Sequence, residues 1–370
     1  MPRRCRSLRY FVPDLGALLG GILGPLLAMI FIVVPLVVIH ELGHLIAARW
    51  RGIAIDEFGI GFPPRVATIA QRGRMAITLN ALPIGGFVRM VGAEEGSDEP
   101  EGWDRSSLRS KVLVMLAGIA ANFLLAFVLL TAVAGPFAER GAVVVGSVQA
   151  DSPAAAAGLQ IGDRITAING AAFDRMGGSP FATHVGEAVK LTIERGGVSS
   201  DVTATLRDGE SALRSGVLGI SIREFAAAGA YDRSLFEAIT IGATETVTSS
   251  VAVLAGLGAI AAAPFSGGGS GLTGPIGIAV SVSEAAGSIG IAGLLRFAGL
   301  LSANLAVLNL LPIPPLDGGR IAGLLLRRAL GGARGRTVER RLIIVGAVAM
   351  LALFAVVTFG DLLRIFTGQG

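Results

Sequence analysis

Apolar residues along this chain fall into long runs with few charges, and most charged residues collect in the gaps between them. Four runs stand out: residues 15–49, 112–134 (ending at Gly135-Pro136), 289–311 and 342–359. Each meets or approaches the roughly 20 residues a helix needs to cross the hydrocarbon of a bilayer. A fifth stretch, 247–263, is rich in Ala and Gly, lacks flanking arginines and continues a helical pattern that begins at Ser234. It is read as an interfacial or buried helix. Between the second and third runs the period changes from helix to strand. Residues 142–148 alternate, Asp151-Ser152-Pro153 opens a short helix, and Ala157-Gly158-Leu159 closes it. Gly162-Asp163-Arg164-Ile165 then starts a strand that ends in an Asn169-Gly170 turn, with further strands expected at 188–195 and 202–206. The segment 52–110 is amphipathic. Arg74-Met75-Ala76-Ile77-Thr78-Leu79 alternates and 83–90 follows it, a pattern that suits an extended hairpin dipping into the membrane.

The pattern predicts a polytopic α-helical membrane protein with about four transmembrane helices, a membrane-dipping β-hairpin and one inserted α+β domain. Its divisions are an N-terminal extension (1–14), the first half of a membrane core (15–136), the inserted domain (141–225), an amphipathic helical region with a Gly-rich joint (226–287) and the second half of the core (288–370). Composition agrees. Of 370 residues 52% are hydrophobic and 16% charged, the latter well below the roughly 25% of soluble domains. The sequence pI near 9.9 invites a nucleic-acid partner, but the formal excess is only +4 and the arginines cluster beside apolar runs. The expected surroundings are a lipid bilayer and no nucleic acid.

Those arginines also orient the chain. Arg49, Arg51, Arg65, Arg72, Arg74, Arg89, Arg105 and Arg109 lie between the first two runs, and Arg320, Arg327, Arg328, Arg334, Arg336, Arg340 and Arg341 between the last two. Both loops are expected in the cytoplasm, which places the termini and the inserted domain outside. Arg3, Arg4, Arg6 and Arg9 run against an exterior N-terminus, and two short loops outvote them. Cys5 is the only cysteine, which excludes a disulfide framework and a thiolate zinc site; with only Met-Pro-Arg-Arg before it and no apolar leader among them, a lipid anchor at Cys5 is not expected.

Chemistry enters at His40-Glu41-Leu42-Gly43-His44, at the end of the first apolar run. On a helix, positions i and i+4 share a face, so both imidazoles can hold one zinc ion, and Glu41 can take a proton from water at that metal. Ionisable groups inside an apolar span are functional by default. The only other histidine is His184, expected on the surface of the inserted domain, so a third ligand must be a carboxylate. Asp317 fits, because the first and third runs point the same way and deliver the histidines and Asp317 to the same end of the membrane. Counting 247–263 as a further crossing would put Asp317 on the wrong side. Asn122, within the second run, reads as glue between helices, and 266–271 as a flexible joint.

With these residues the chain resembles the site-2 protease family of intramembrane zinc metalloproteases, and within it the bacterial sigma-E regulator proteases with a periplasmic PDZ domain. The matching motifs are His40-Glu41-x-x-His44, Gly86-Phe87-Val88-x-Met90, Gly274-Pro275-Ile276-Gly277 and Asn309-x-x-Pro312-x-Pro314-x-Leu316-Asp317-Gly318. The resemblance implies one catalytic Zn2+ held by His40, His44 and Asp317, with Glu41 as general base. It gives Asn309 a part in substrate handling, and Gly85, Gly86 and Phe87 a place in a loop that pairs with extended substrate. It implies a multi-pass protein of the bacterial inner membrane that cuts single-span substrates, an anti-sigma factor or remnant signal peptides, after an upstream site-1-type protease. The run from 141 to 225 resembles a circularly permuted PDZ domain; some members of the family carry two such domains. Two other classes fit the residues less well: a membrane-anchored PDZ scaffold with a vestigial metal site, against which the intact Glu41 counts, and a metal transporter, against which the single ionisable cluster counts.

Overall fold

The structure is a computed structural model and describes residues 15–92, 101–175, 181, 183–208, 216–266 and 275–367. The 1–14 extension, Gly274 of the Gly-Pro-Ile-Gly motif and most of the expected 266–271 joint lie outside the described residues. The chain divides into two compact units, one discontinuous (1–130 with 244–370) and one continuous (131–243).

In the discontinuous unit, α1 (Leu15–Trp50) is followed by two long strands, β1 (Ile55–Arg72) and β2 (Met75–Met90), and by α2 (Leu108–Ala134). After the insert come α4 (Leu235–Ser266), α5 (Pro275–Leu310), α6 (Asp317–Leu330) and α7 (Gly332–Thr367). Among the described residues, four helical segments are long and apolar enough to cross a membrane: Ile30–Trp50, Leu108–Ala134, Leu235–Gly258 and Ile291–Leu310. Three match expected spans, and the expected fourth, 342–359, lies within the single helix α7. The departure is α4. Residues 247–263 belong to one 32-residue helix whose described side chains are mostly exposed, so it is not a buried helix. Its start is fixed in the other unit by a reciprocal cap: Ser234 Oγ accepts from the Glu237 amide (3.3 Å), and Glu237 Oε2 accepts from the Ser234 amide (2.9 Å).

β1 and β2 pair antiparallel and both bend back on themselves, giving four rows. Row 55–60 lies between 86–90 and 76–79, and row 65–72 covers the far side of 75–80. A buried carboxylate ties all four together. Glu57 Oε1 accepts from Thr78 Oγ1 (2.7 Å) and Arg65 Nη2 (2.8 Å), while Oε2 faces Arg89 Nη1 at 3.0 Å. The apolar core of this unit gathers Leu45 and Ala48 of α1, Ile53, Phe58 of β1, and Val114 and Met115 of α2. That core fixes α1, the sheet and α2 as one body at the level of the histidine motif.

In the continuous unit, β3 (Glu139–Val148), the short helix α3 (Pro153–Ala156), β4 (Arg164–Ile168), β5 (Ala171–Asp174), β6 (Ala188–Arg195), β7 (Val198–Thr205) and β8 (Ile220–Ala230) build a six-stranded sheet of order β7-β6-β4-β5-β3-β8. Ser152 caps α3 by accepting from the Ala155 amide at 3.1 Å, and Pro153 occupies its first turn. Asn169 and Gly170 take φ of 50° and 80°, the backbone a two-residue hairpin between β4 and β5 requires. Val143, Val145, Ile165, Leu191 and Ile193 alternate inward to form the core. β8 crosses the boundary expected at 225 and pairs along β3 to Ala230. Its C-terminal half, Ala226-Ala227-Ala228-Gly229-Ala230, carries no alternation to announce it; pairing with β3 supplies what the local pattern lacks.

Candidate active site

His40 and His44 sit one turn apart on α1, 7% and 5% exposed, with their Nε2 atoms 3.1 Å apart. Asp317 is the first residue of α6, and its Oδ2 lies 3.0 Å from His40 Nε2 and 3.2 Å from His44 Nε2. The sequence explains how Asp317 arrives there. α5 stops at Leu310, and a tight turn follows in which the Ile313 amide donates to Leu311 O (2.7 Å) and the Leu316 amide to Ile313 O (3.0 Å). α6 then starts directly against this turn. A side chain on Gly319 would come within 2.6 Å of Ile313 O, and one on Gly318 within 2.5 Å of the Leu310 carbonyl carbon. Only glycine after Asp317 allows the approach.

The three atoms suit a small divalent ion. Ligands of a tetrahedral zinc site with bonds of about 2.0–2.1 Å stand roughly 3.3 Å apart, close to the 3.0, 3.1 and 3.2 Å observed. Asp317 Oδ2 is buried and makes no well-directed hydrogen bond despite the two nearby nitrogens. The three atoms converge on a common point.

α2 backs the site. Gly43 lets α1 touch it, since a side chain there would meet Ala117 O at 2.5 Å and Ala121 Cβ at 2.9 Å. His44 Nδ1 donates to the Val114 carbonyl at 2.7 Å. Gly118 lies under both rings, where an added carbon would fall 2.5 Å from His44 Nε2 and 3.0 Å from His40 Cε1. Asn122, only 1% exposed, brings its carboxamide within 3.4 Å of His40 Nδ1, and its backbone carbonyl accepts from Ser302 Oγ of α5 at 2.8 Å. Read from sequence, Asn122 joins helices; its backbone does so, and its side chain reaches the metal cluster as well. Val114, Gly118 and Asn122 share one face of α2 by their i, i+4, i+8 spacing, the signal that could have singled them out.

The sheet closes the other side. Gly86 lies opposite Glu41, with an added carbon 3.5 Å from Glu41 Cγ. Gly85 takes φ of 91°, and a side chain there would meet the Phe62 ring. Phe87 covers Gly59 and lies 6.5 Å from Phe62, with the Arg89 guanidinium 5.5 Å over its ring. Among the described residues, no strand pairs with the outer side of row 86–90. An apolar cavity of about 270 Å³ opens between α1 and the sheet, lined by Val34, Pro35, Ile60, Leu79, Asn80 and Pro83. Asn309 is half-buried near the end of α5 and makes no side-chain hydrogen bond among the described residues. His184 pairs with Glu187 at 2.7 Å within the continuous unit.

Long apolar helices around a buried two-histidine, one-carboxylate cluster, with a glutamate between the histidines, define a membrane-embedded metal-dependent hydrolase. The chain belongs to peptidase family M50, the site-2 protease family, which it matches over residues 28–353. It is 29% identical over 426 residues to the zinc metalloprotease RasP of Geobacillus kaustophilus, covering 91% of this chain and 97% of that relative. To the RasP of Shouchella clausii it is 30% identical over 435 residues, covering 92% and 99%.

Proposed function

We propose that this chain is a zinc endopeptidase of the bacterial inner membrane that cuts single-span membrane substrates at the level of His40, His44 and Asp317. The observation that carries the reading is the convergence of these three groups beside Glu41 on an apolar helix. In this reading His40, His44 and Asp317 hold the ion. Zinc bound in such a site supplies an acidified water and a polarised carbonyl. Glu41 accepts the proton of the attacking water and passes it to the leaving amine. The apolar helices keep bulk water away, which strengthens each of these charge interactions.

A transmembrane helix has its carbonyls bonded internally and must unwind before attack. The open row 86–90, beside Glu41, supports a mode in which the unwound segment adds as a further strand and Gly85, Gly86 and Phe87 hold it. Asn309, near the turn that carries Asp317, is assigned to handling the same segment. Non-helical backbone at membrane depth is tolerated against such a protein surface. The apolar cavity between α1 and the sheet suits an aliphatic side chain of that segment. The continuous unit, with a capped short helix between β3 and β4, supports a PDZ-like domain that admits substrates already trimmed by an upstream site-1-type protease, among them anti-sigma factors or remnant signal peptides. The arginine loops support an active site toward the cytoplasm and this domain outside.

The test compares wild type with Glu41→Gln on a single-span substrate in liposomes. The variant is expected to lose cleavage by at least about 100-fold while retaining its zinc. Equal cleavage by the two proteins removes the protease assignment and leaves the scaffold.

A further inference from the structure

We propose that Asn122 is the hydrogen-bond acceptor that fixes His40 as a metal ligand, the counterpart of the Val114 carbonyl beneath His44; this rests on the zinc reading above. Both Nε2 atoms face each other and Asp317 Oδ2, so a metal takes both rings through Nε2. A neutral imidazole that ligates through Nε2 carries its single proton on Nδ1. His44 obeys this: its Nδ1 faces a carbonyl, which can only accept. His40 Nδ1 faces the Asn122 carboxamide at 3.4 Å. An N–H cannot donate to an NH2 group, so the end of the carboxamide turned toward His40 is Oδ1. The two ends of a carboxamide are nearly isosteric, and the hydrogen-bonding partners decide which way it turns. With Nδ2 toward the ring, Oδ1 is buried without a partner; with Oδ1 toward the ring, the oxygen gains the one donor that metal binding demands.

The helical backbone of α2 sets the place of Asn122, two turns beyond Val114 on the same face, and the Ser302 hydroxyl bonds only its main-chain carbonyl. The two histidines, one turn apart on α1, are therefore each anchored by a group on α2, one from the main chain and one from a side chain. Outer hydrogen bonds of this kind set ring orientation and ligand basicity, and their loss lowers metal affinity by about 10–100-fold.

The experiment measures zinc affinity of the full-length protein in detergent by chelator competition, together with the absorption spectrum of the Co2+-substituted protein. Asn122→Leu, with the same branching but no acceptor, is expected to weaken zinc by about 10–100-fold and to shift the Co2+ spectrum. Asn122→Asp keeps the acceptor and is expected to bind within a few-fold of wild type. Ser302→Ala removes only the backbone contact and is expected to bind as wild type does. Wild-type affinity and spectrum in a folded Asn122→Leu overturn the proposal. So does an Asn122→Asp that loses as much as the leucine variant, or a Ser302→Ala that loses as much, since either assigns the effect to packing. Should Asn122→Leu fail to fold, the aspartate and alanine variants still decide. Failure of the wild type itself to bind zinc would instead remove the metal reading.

Discussion

Gly118 lies on α2 where the two histidine rings come closest, and a methyl group there has no room. The ring it would strike is buried and tied to Val114 O, so it cannot swing aside without moving Nε2. Gly118→Ala is therefore expected to weaken zinc at least about tenfold, read by chelator competition, and to reduce cleavage in step; unchanged zinc affinity would show that the ring relocates freely. The comparison with His40 and His44 shows why some of this was legible and some was not. The histidines lie on one helix, and a spacing of four places them together whatever the tertiary fold. Asp317 was legible through its motif and through the matched direction of two spans. Val114, Gly118 and Asn122 act only across a contact between two helices. Their i, i+4, i+8 spacing places them on one face of α2, but nothing local marks which ring each will meet.

At the scale of elements, the sheet of β1 and β2 hides a similar gap. The alternation at 74–79 announces one strand, whereas Gly59-Ile60-Gly61-Phe62-Pro63-Pro64 reads as a break. The chain bends there and continues pairing, and Glu57 holds the bent rows together. Burial pulls the Glu57 carboxyl upward, but the hydrogen bonds from Thr78 and Arg65 and the charges of Arg65 and Arg89 outweigh it, leaving the pKa below the ordinary glutamate value. A group depressed in this way stabilises the fold above its unfolded pKa, and that contribution fades as pH falls through the folded value. Glu57→Gln is expected to destabilise the protein by about 1.5–3 kcal/mol at neutral pH. The gap in unfolding midpoint between wild type and variant should narrow on acidification below the ordinary glutamate range. A gap that stays constant with pH would mean the carboxylate charge plays no part. If row 86–90 receives substrate, the same variant loses cleavage while its zinc affinity holds.

For the whole molecule, the arginine distribution and the shared level of His40, His44 and Asp317 bear on the same question of sidedness. With Cys5 replaced by serine the chain is free of cysteine. A cysteine at His184, in the continuous unit, is expected to react with an impermeant maleimide in spheroplasts, and one at Arg328, on α6, only after the membrane is opened. The reverse pattern would invert the topology. The apolar runs and their arginine flanks made the membrane core legible. The role of α4 was not, because Ala, Gly, Ser and Thr suit a spanning, interfacial or free-standing helix equally, and only the environment of its exposed faces distinguishes them.

The discontinuity of the first unit also sets a timetable. Asp317 follows His44 by roughly 270 residues, so at about 5–20 residues per second a ribosome makes the two histidines many seconds before it makes their carboxylate partner. Throughout that interval the nascent chain carries Glu41 and two of the three proposed ligands. If Asp317 completes the site as proposed, cleavage is expected only once residue 317 has been made and has folded against α1.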